Sequence, residues 1–222
     1  MIVDERMTIF IDSMDTPNTE FLNQLEKYSK ETNVPIIRPS MQSFLKLLLS
    51  MKQPKKILEV GTAIGFSALL MSEYGPEDCH ITTIEKYEKR IPLAKENFAK
   101  AGKEDRITLL EGDAVEILSK LEGTYDFIFM DAAKGQYINF LPDILRLLAD
   151  DGILVSDNVL QDGELKESRF AVTRRNRTIH GRMRDYLYEL KHHPDLVTSI
   201  LPVGDGVTVS VKEKNKDVVS QD

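Results

Sequence analysis

The sequence predicts an α/β fold: a doubly wound, mainly parallel seven-stranded sheet with an antiparallel hairpin at its C-terminal end and cap helices at its N-terminal end. Three observations carry this. Short apolar runs rich in β-branched and aromatic residues alternate with longer amphipathic stretches, as strands alternating with helices do. The last two runs are separated only by Val203-Gly204-Asp205, too short for a parallel crossover, so they pair antiparallel. Successive runs also end in polar residues, where open α/β sheets bind their ligands.

Taken in order, two helices lead, at 19–33 and 40–51, the second entered through Pro39 and carrying Phe44, Leu45, Leu48 and Leu49 on one face. They read as a cap on the sheet. Strands are predicted at 56–60, 80–85, 107–111, 125–131, 152–157, 196–202 and 206–212, with helical stretches between them. Residues 1–213 form one domain on this reading, and the polar tail 214–222, without periodicity, is assigned as disordered.

The 222 residues, 41% hydrophobic and 29% charged, suffice to bury a core. No stretch approaches the roughly 18 uncharged apolar residues of a membrane span, and the opening MIVDERMTIF lacks the marks of a signal peptide. A cytoplasmic protein with no membrane partner is expected. The lone Cys79 excludes a disulfide framework and any multi-cysteine metal site. The four histidines, at 80, 180, 192 and 193, have no metal-binding spacing, and the His192-His193 pair marks a helix C-terminus. A net charge of −7 argues against a general nucleic-acid binder, and no DNA partner is expected. The charge is nevertheless uneven: residues 169–184 hold six arginines and no acid.

Chemistry is expected at the strand ends. The first strand runs through Glu59 and Val60 into a turn with glycines at 61 and 65, then Ser67 on the next helix. The G-x-x-x-G spacing is neither a dinucleotide fingerprint nor a phosphate loop. The second strand ends in Glu85, a carboxylate able to accept both hydroxyl protons of a ribose. The third ends at Gly112-Asp113-Ala114, placed to meet an adenine edge, although Asp113 could equally cap the following helix. The fourth ends in Asp131 and the fifth in Asp157-Asn158, three hard oxygen donors at neighbouring strand ends, a set suited to Mg²⁺. Helix caps and a turn are the alternative for these three. Lys134, three residues past Asp131, can point back over the same site. A divalent ion there would favour the neutral amine and make it a candidate general base; otherwise it is a solvated loop lysine.

The segments ILEVGTAIGFSALLM, TTIEKY, LEGDA, FIFMDAAKGQY and GILVSDNVL, in this order, resemble the class I S-adenosylmethionine-dependent methyltransferases, specifically the metal-dependent catechol and caffeoyl-CoA O-methyltransferase group. The resemblance covers residues 35–212 and implies a Rossmann-like methyltransferase fold. It implies that Glu59, Gly61 and Ser67 line the methionine part of the cofactor, Glu85 its ribose, Asp113 and Ala114 its adenine, and that Met41 covers it, with Asp131 also at the cofactor. It further implies that Asp131, Asp157 and Asn158 hold Mg²⁺, that Lys134 and Asp131 are catalytic, and that residues 1–52 help form a homodimer.

The acceptor is read from what departs from that group. Where many relatives carry an aromatic residue after Asp-Asn, this chain has Val159-Leu160 and no tryptophan anywhere. The arginine-rich segment falls between the fifth strand and the terminal hairpin, where it would suit a large anionic substrate; a solvated helix face is the alternative. TRRNRTIHGRMRDYLYEL also resembles the bacterial tRNA 5-hydroxyuridine methyltransferases. That resemblance implies 5-methoxyuridine synthesis at tRNA wobble position 34, with Arg174, Arg175, Arg177, Arg182 and Arg184 on the anticodon stem-loop. A small-molecule catechol or hydroxycinnamoyl-type O-methyltransferase is the alternative, and a non-catalytic RNA-binding module a third reading.

Overall fold

The computed structural model describes residues 3–168, 170–174 and 176–214, apart from the Asp162 side chain. Helices α1 (Glu5–Ser13), α2 (Glu20–Thr32) and α3 (Pro39–Lys52) precede β1 (Lys56–Val60). Then come α4 (Phe66–Tyr74), β2 (His80–Glu85), α5 (Ile91–Lys100), β3 (Ile107–Glu111), α6 (Ala114–Lys120), β4 (Tyr125–Met130), α7 (Tyr137–Leu147) and β5 (Leu148–Ser156). Helix α8 (Arg177–His192) leads to β6 (Leu196–Leu201) and β7 (Val207–Lys212). The strands form one seven-stranded sheet in the order β3-β2-β1-β4-β5-β7-β6. The first five pair in parallel, and β7 lies antiparallel between β5 and β6.

Strand burial follows from helices covering both faces. Along β1 and β4, alternate residues enter opposite cores: Ile57, Phe127 and Phe129 pack with α2, α3 and α4, whereas Leu58, Ile128 and Met130 pack with α7 and α8. The leading helices are thus more than a cap, since α2 and α3 contribute Leu22, Leu25, Met41, Leu45, Leu48 and Leu49 to the first core. On α3 the buried face includes Met41, with Phe44 only partly covered.

Two sequence expectations are corrected. Helix α1 is absent from the sequence reading: it is only nine residues long and buries none of them. Its start is set by Asp4, whose carboxylate accepts the Arg6 and Met7 amides. Strand β5 begins at Leu148 rather than 152. Helix α7 runs straight into it, and its register with β4 is irregular between the Tyr125–Leu148 and Phe127–Ile153 pairs. Asp151 there has a left-handed φ of 59°, so Asp150-Asp151-Gly152, which reads as a turn, is a kink inside a strand. Of the segment 214–222, Lys214 is ion-paired to Asp151 at 2.7 Å and the rest lies outside the described residues. Among the described residues no helix is long and apolar enough to cross a membrane.

Phe127 sits at the middle of the sheet with no solvent exposure. Phe127→Ala is expected to lower unfolding free energy by about 3–5 kcal/mol, read from the shift in a chemical denaturation midpoint.

Candidate active site

The strand order reverses between β1 and β4, and chains leaving a parallel sheet on either side of such a point open a crevice beyond the strand ends. A cleft of about 530 Å³ lies there. Its opening depends on Gly61: φ is +108°, and a Cβ would stand 2.1 Å from the Asp131 carbonyl oxygen, so no side chain fits between the two exits. Gly65, at φ +86°, leads into α4 with Phe98 against it, where a Cβ would approach within 2.5 Å.

The cleft is lined by Met41, Gly61, Ser67, Glu85, Asp113, Ala114, Asp131, Asp157 and Asn158, which brings together residues expected to hold cofactor and metal. Glu85 is oriented by main chain: its carboxylate accepts the amides of Ala63 (2.8 Å), Lys86 (2.9 Å) and Tyr87 (2.8 Å). With about four lone-pair sites it can still accept from a ribose. Asp113 does both things the sequence allowed. It caps α6 through the Val115 amide at 2.9 Å while facing the cleft. That amide bond, followed by Lys86 at 3.3 Å, holds its carboxyl below the usual value.

Glu59 and Lys134 do not line the cleft. Glu59 is fully buried behind it, accepting the Thr83 hydroxyl, which in turn meets the Thr62 hydroxyl at the cleft wall. Burial pushes the Glu59 carboxyl up to about 7; the Ser67 and Thr83 hydroxyls oppose this, and the charges of Asp131 and Glu85 add to it. Its Oε1 is buried without a hydrogen bond, an acceptor awaiting a donor. Lys134 opens a single 3₁₀ turn, Lys134–Gln136, close enough for its charge to lower the carboxyl pKa of both Asp131 and Asp157.

The fourth and fifth strand ends are neighbours, as expected. Asn158 ties them, donating its side-chain amide to Asp131 Oδ1 at 3.1 Å and its main-chain N–H to Asp157 Oδ1 at 2.7 Å. Burial raises both carboxyl pKa values, and the Asp131 charge raises that of Asp157 further. A site that penalises two carboxylates is one a cation would relieve. No group of three or more His, Cys, Asp or Glu side chains gathers among the described residues, so the donor set is two carboxylates and an amide.

Several lining residues carry no signal in the sequence motifs. Phe66 and Phe140 give the cleft aromatic walls, and Arg38 and Arg90 give it cations. Arg38 precedes α3 and pairs at 2.8 Å with Asp205 in the β6–β7 turn. The turn residues read only as a reversal; an acid inside it was the available signal. Val159, which follows Asp157-Asn158, is buried in the second core and does not line the cleft. Arginine placement is mixed. Arg182 donates to the Gly135 carbonyl at 3.0 Å, beside Lys134, while Arg177 lies 5.9 Å from the exposed Phe170 ring. Arg174 and Arg184 are exposed, and Arg175 lies outside the described residues.

The O-methyltransferase family model matches residues 12–213. The chain belongs to the O-methyltransferase family. It is 34% identical to caffeoyl-CoA O-methyltransferase 2 of Populus trichocarpa over 180 residues, 75% of this chain and 70% of that protein. It is also 34% identical to catechol O-methyltransferase of Niastella koreensis over 141 residues, 61% and 64% of the two chains. Among solved structures, the SAH-bound Podospora anserina methyltransferase PaMTH1 superposes with a TM-score of 0.84 at 27% identity, over 95% of each chain. In this O-methyltransferase the cleft stands at the family's switch point, floored by β1 and walled by the ends of β4 and β5.

The Glu59 environment makes a pH prediction. An acid whose folded pKa is raised holds its proton more tightly folded than unfolded, so its contribution to stability is full below about 4.5 and is lost as pH rises to about 7. In denaturation midpoints of the ligand-free protein, Glu59→Gln is expected to show a shallower decline between pH 5 and 8 than the parent.

Proposed function

We propose that this O-methyltransferase transfers the methyl group of S-adenosylmethionine to one oxygen of a vicinal dioxygen acceptor chelated on Mg²⁺. The observation that carries the reading is the meeting of Asp131, Asp157 and Asn158 with Gly61, Ser67, Glu85 and Asp113 in one cleft. Met41, Gly61, Ser67, Glu85, Asp113 and Ala114 would hold the methyl donor, with Glu59 behind them bracing the wall through Thr83 and Thr62. Asp131, Asp157 and Asn158 would hold the cation, being oxygen donors of the hardness Mg²⁺ prefers. When bound, the sulfonium supplies an electrophilic methyl and the cation favours the ionised acceptor hydroxyl.

The chain's own part is placement and proton handling. Phe66, Phe140, Val60 and Ile84 line the cleft with apolar surface that excludes water. Lys134 stands outside the cleft lining, its charge acting on Asp131 and Asp157; in the neutral form that a bound cation would favour, it would take the acceptor's proton. Asp131 faces both groups of lining residues, which fits a role in setting the angle of attack.

The relatives named for catechol and caffeoyl-CoA favour a small phenolic acceptor, the first reading. A second reading, 5-hydroxyuridine at the tRNA wobble position, is favoured by α8. Its buried face, His180, Met183, Tyr186 and Leu190, turns Arg182 and Arg184 outward, and Arg182 reaches the Lys134 turn. The run 159–163 after Asp157-Asn158, which holds no aromatic residue, favours it too. The 5-hydroxyl and 4-carbonyl of such a base form a vicinal oxygen pair, and unpaired loop bases can be splayed into a pocket. The purified protein is therefore assayed with Mg²⁺ on catechol and on a 5-hydroxyuridine anticodon stem-loop, and bulk tRNA nucleosides from a strain lacking it are analysed by mass spectrometry. Efficient catechol turnover, abolished by EDTA, with an unchanged nucleoside profile establishes the first reading. Loss of 5-methoxyuridine with accumulation of 5-hydroxyuridine establishes the second. Turnover of both acceptors at the same rate with EDTA present overturns the metal-dependent mechanism.

We also propose that a second copy covers α1. Met7, Phe10, Ile11 and Met14 recur on one face of this helix or its cap, all exposed, beside exposed Leu47 and Met51 of α3. Light scattering is expected to give a dimer mass for the parent and a monomer mass for Phe10→Glu/Met14→Glu; a monomeric parent overturns the homodimer.

A further inference from the structure

Tyr137, the first residue of α7, is fully buried and does not line the cleft. Phenylalanine would fill the same apolar space, so the hydroxyl is what needs a reason: a buried polar oxygen is costly unless hydrogen-bonded. Here it is bonded to an unusual set of partners. It accepts the Ala132 N–H at 3.2 Å and lies 3.1 Å from both the Met130 and the Asp157 carbonyl oxygens, to which its single proton is donated. Met130 and Ala132 flank Asp131. One oxygen therefore ties the main chain on both sides of the first carboxylate to the main chain of the second.

The ring that carries this oxygen is itself immobilised. Tyr186 of α8 meets it edge-on, with centroids 5.5 Å apart and planes at 75°. The Tyr186 hydroxyl is 2.6 Å from that of Ser156, the last residue of β5. Main-chain pairing adds only one further bond across the same ends, Asp157 N–H to the Met130 carbonyl at 2.9 Å. Beyond it the strands have ended, and two like charges in a dry site push their carriers apart.

We infer that the Tyr137 hydroxyl is a positioning group that holds Asp131 and Asp157 at their ligating separation before a divalent cation arrives, and thereby sets the site's metal affinity. The inference rests on the metal-dependent reading above. Tyr137 acts through main chain, not by touching the cation, acceptor or cofactor. Outer groups that orient ligands in this way typically change metal affinity about 10–100-fold.

The test is calorimetric titration of the full-length, metal-free protein with MnCl₂, for the parent, Tyr137→Phe and Tyr186→Phe, alongside titration with S-adenosylhomocysteine. Tyr137→Phe is expected to weaken Mn²⁺ binding by about tenfold or more while leaving S-adenosylhomocysteine affinity unchanged; methyl transfer then recovers at high metal concentration, a rise in metal requirement without loss of kcat. Tyr186→Phe, which keeps the ring against Tyr137 and removes the Ser156 bond, is expected to weaken Mn²⁺ binding by less than Tyr137→Phe does. The inference is overturned if Tyr137→Phe binds Mn²⁺ as the parent does, or if both ligands weaken together. A parent that binds no divalent metal overturns the metal-dependent reading and the clamp with it, whereas a metal-binding parent with an unaffected variant overturns the clamp alone. Hydrogen exchange of the parent needs no variant: the Ala132 and Asp157 amides are expected to be protected in the metal-free protein already, and protection appearing only on metal addition contradicts preorganisation.

Discussion

Two buried carboxylates, Asp131 and Asp157, stand at the ends of adjacent parallel strands, and much of the molecule is arranged around holding them there. Burial makes each reluctant to ionise, and the charge of one makes the other more so. Opposing this are the Asn158 amides and the Lys134 charge, while the Tyr137 hydroxyl bonds the main chain behind both carboxylates. A bound cation would relieve both penalties. That relief is what links the fold to the metal-assisted methyl transfer proposed above.

The remaining wall of the cleft depends on contacts between parts distant in sequence. The β6–β7 turn is hydrogen-bonded to the segment after Asp157, with Val159 N–H donating to Gly206 O and Leu160 N–H to Asp205 O, each at 2.9 Å. Gly206 has no room for a side chain, because a Cβ would stand 2.3 Å from Leu160. The same turn meets α3 through Arg38 and Asp205. Partly exposed pairs of this kind contribute little stability, so its consequence is placement: a cation and a carboxylate among the residues that line the cleft. On the other side, α8 buries His180, Met183, Tyr186 and Leu190, and that face alone decides which arginines look outward.

Most of this architecture is legible in the chain. Strand positions follow from apolar runs, the C-terminal hairpin from a turn too short to cross over, and the cleft from polar residues closing successive strands. Glu85, Asp131, Asp157 and Asn158 could all be named because strand ends in a parallel sheet share one edge. Helix α1 escaped the sequence reading although Met7, Phe10, Ile11 and Met14 have helical spacing, because the run is only nine residues long. Asp150-Asp151-Gly152 has the composition of a turn and is a kink, because β5 pairs on both sides of it. Tyr137 passes as an ordinary core aromatic, since nothing local reveals that its oxygen reaches Asp157, twenty residues away.

The sequence by itself determined the order of elements, the residues that close each strand, and the family to which those motifs belong, because periodicity and turn length are local properties. The tertiary structure decided what depends on distance. It placed Glu59 behind the cleft instead of in it, gave Asp113 a cap and a cleft face together, buried Val159 in the second core, and set Arg182 on the Lys134 turn. Each of these follows from packing between segments far apart in the chain, and burial and hydrogen bonding across such distances are fixed only when the layers close on one another.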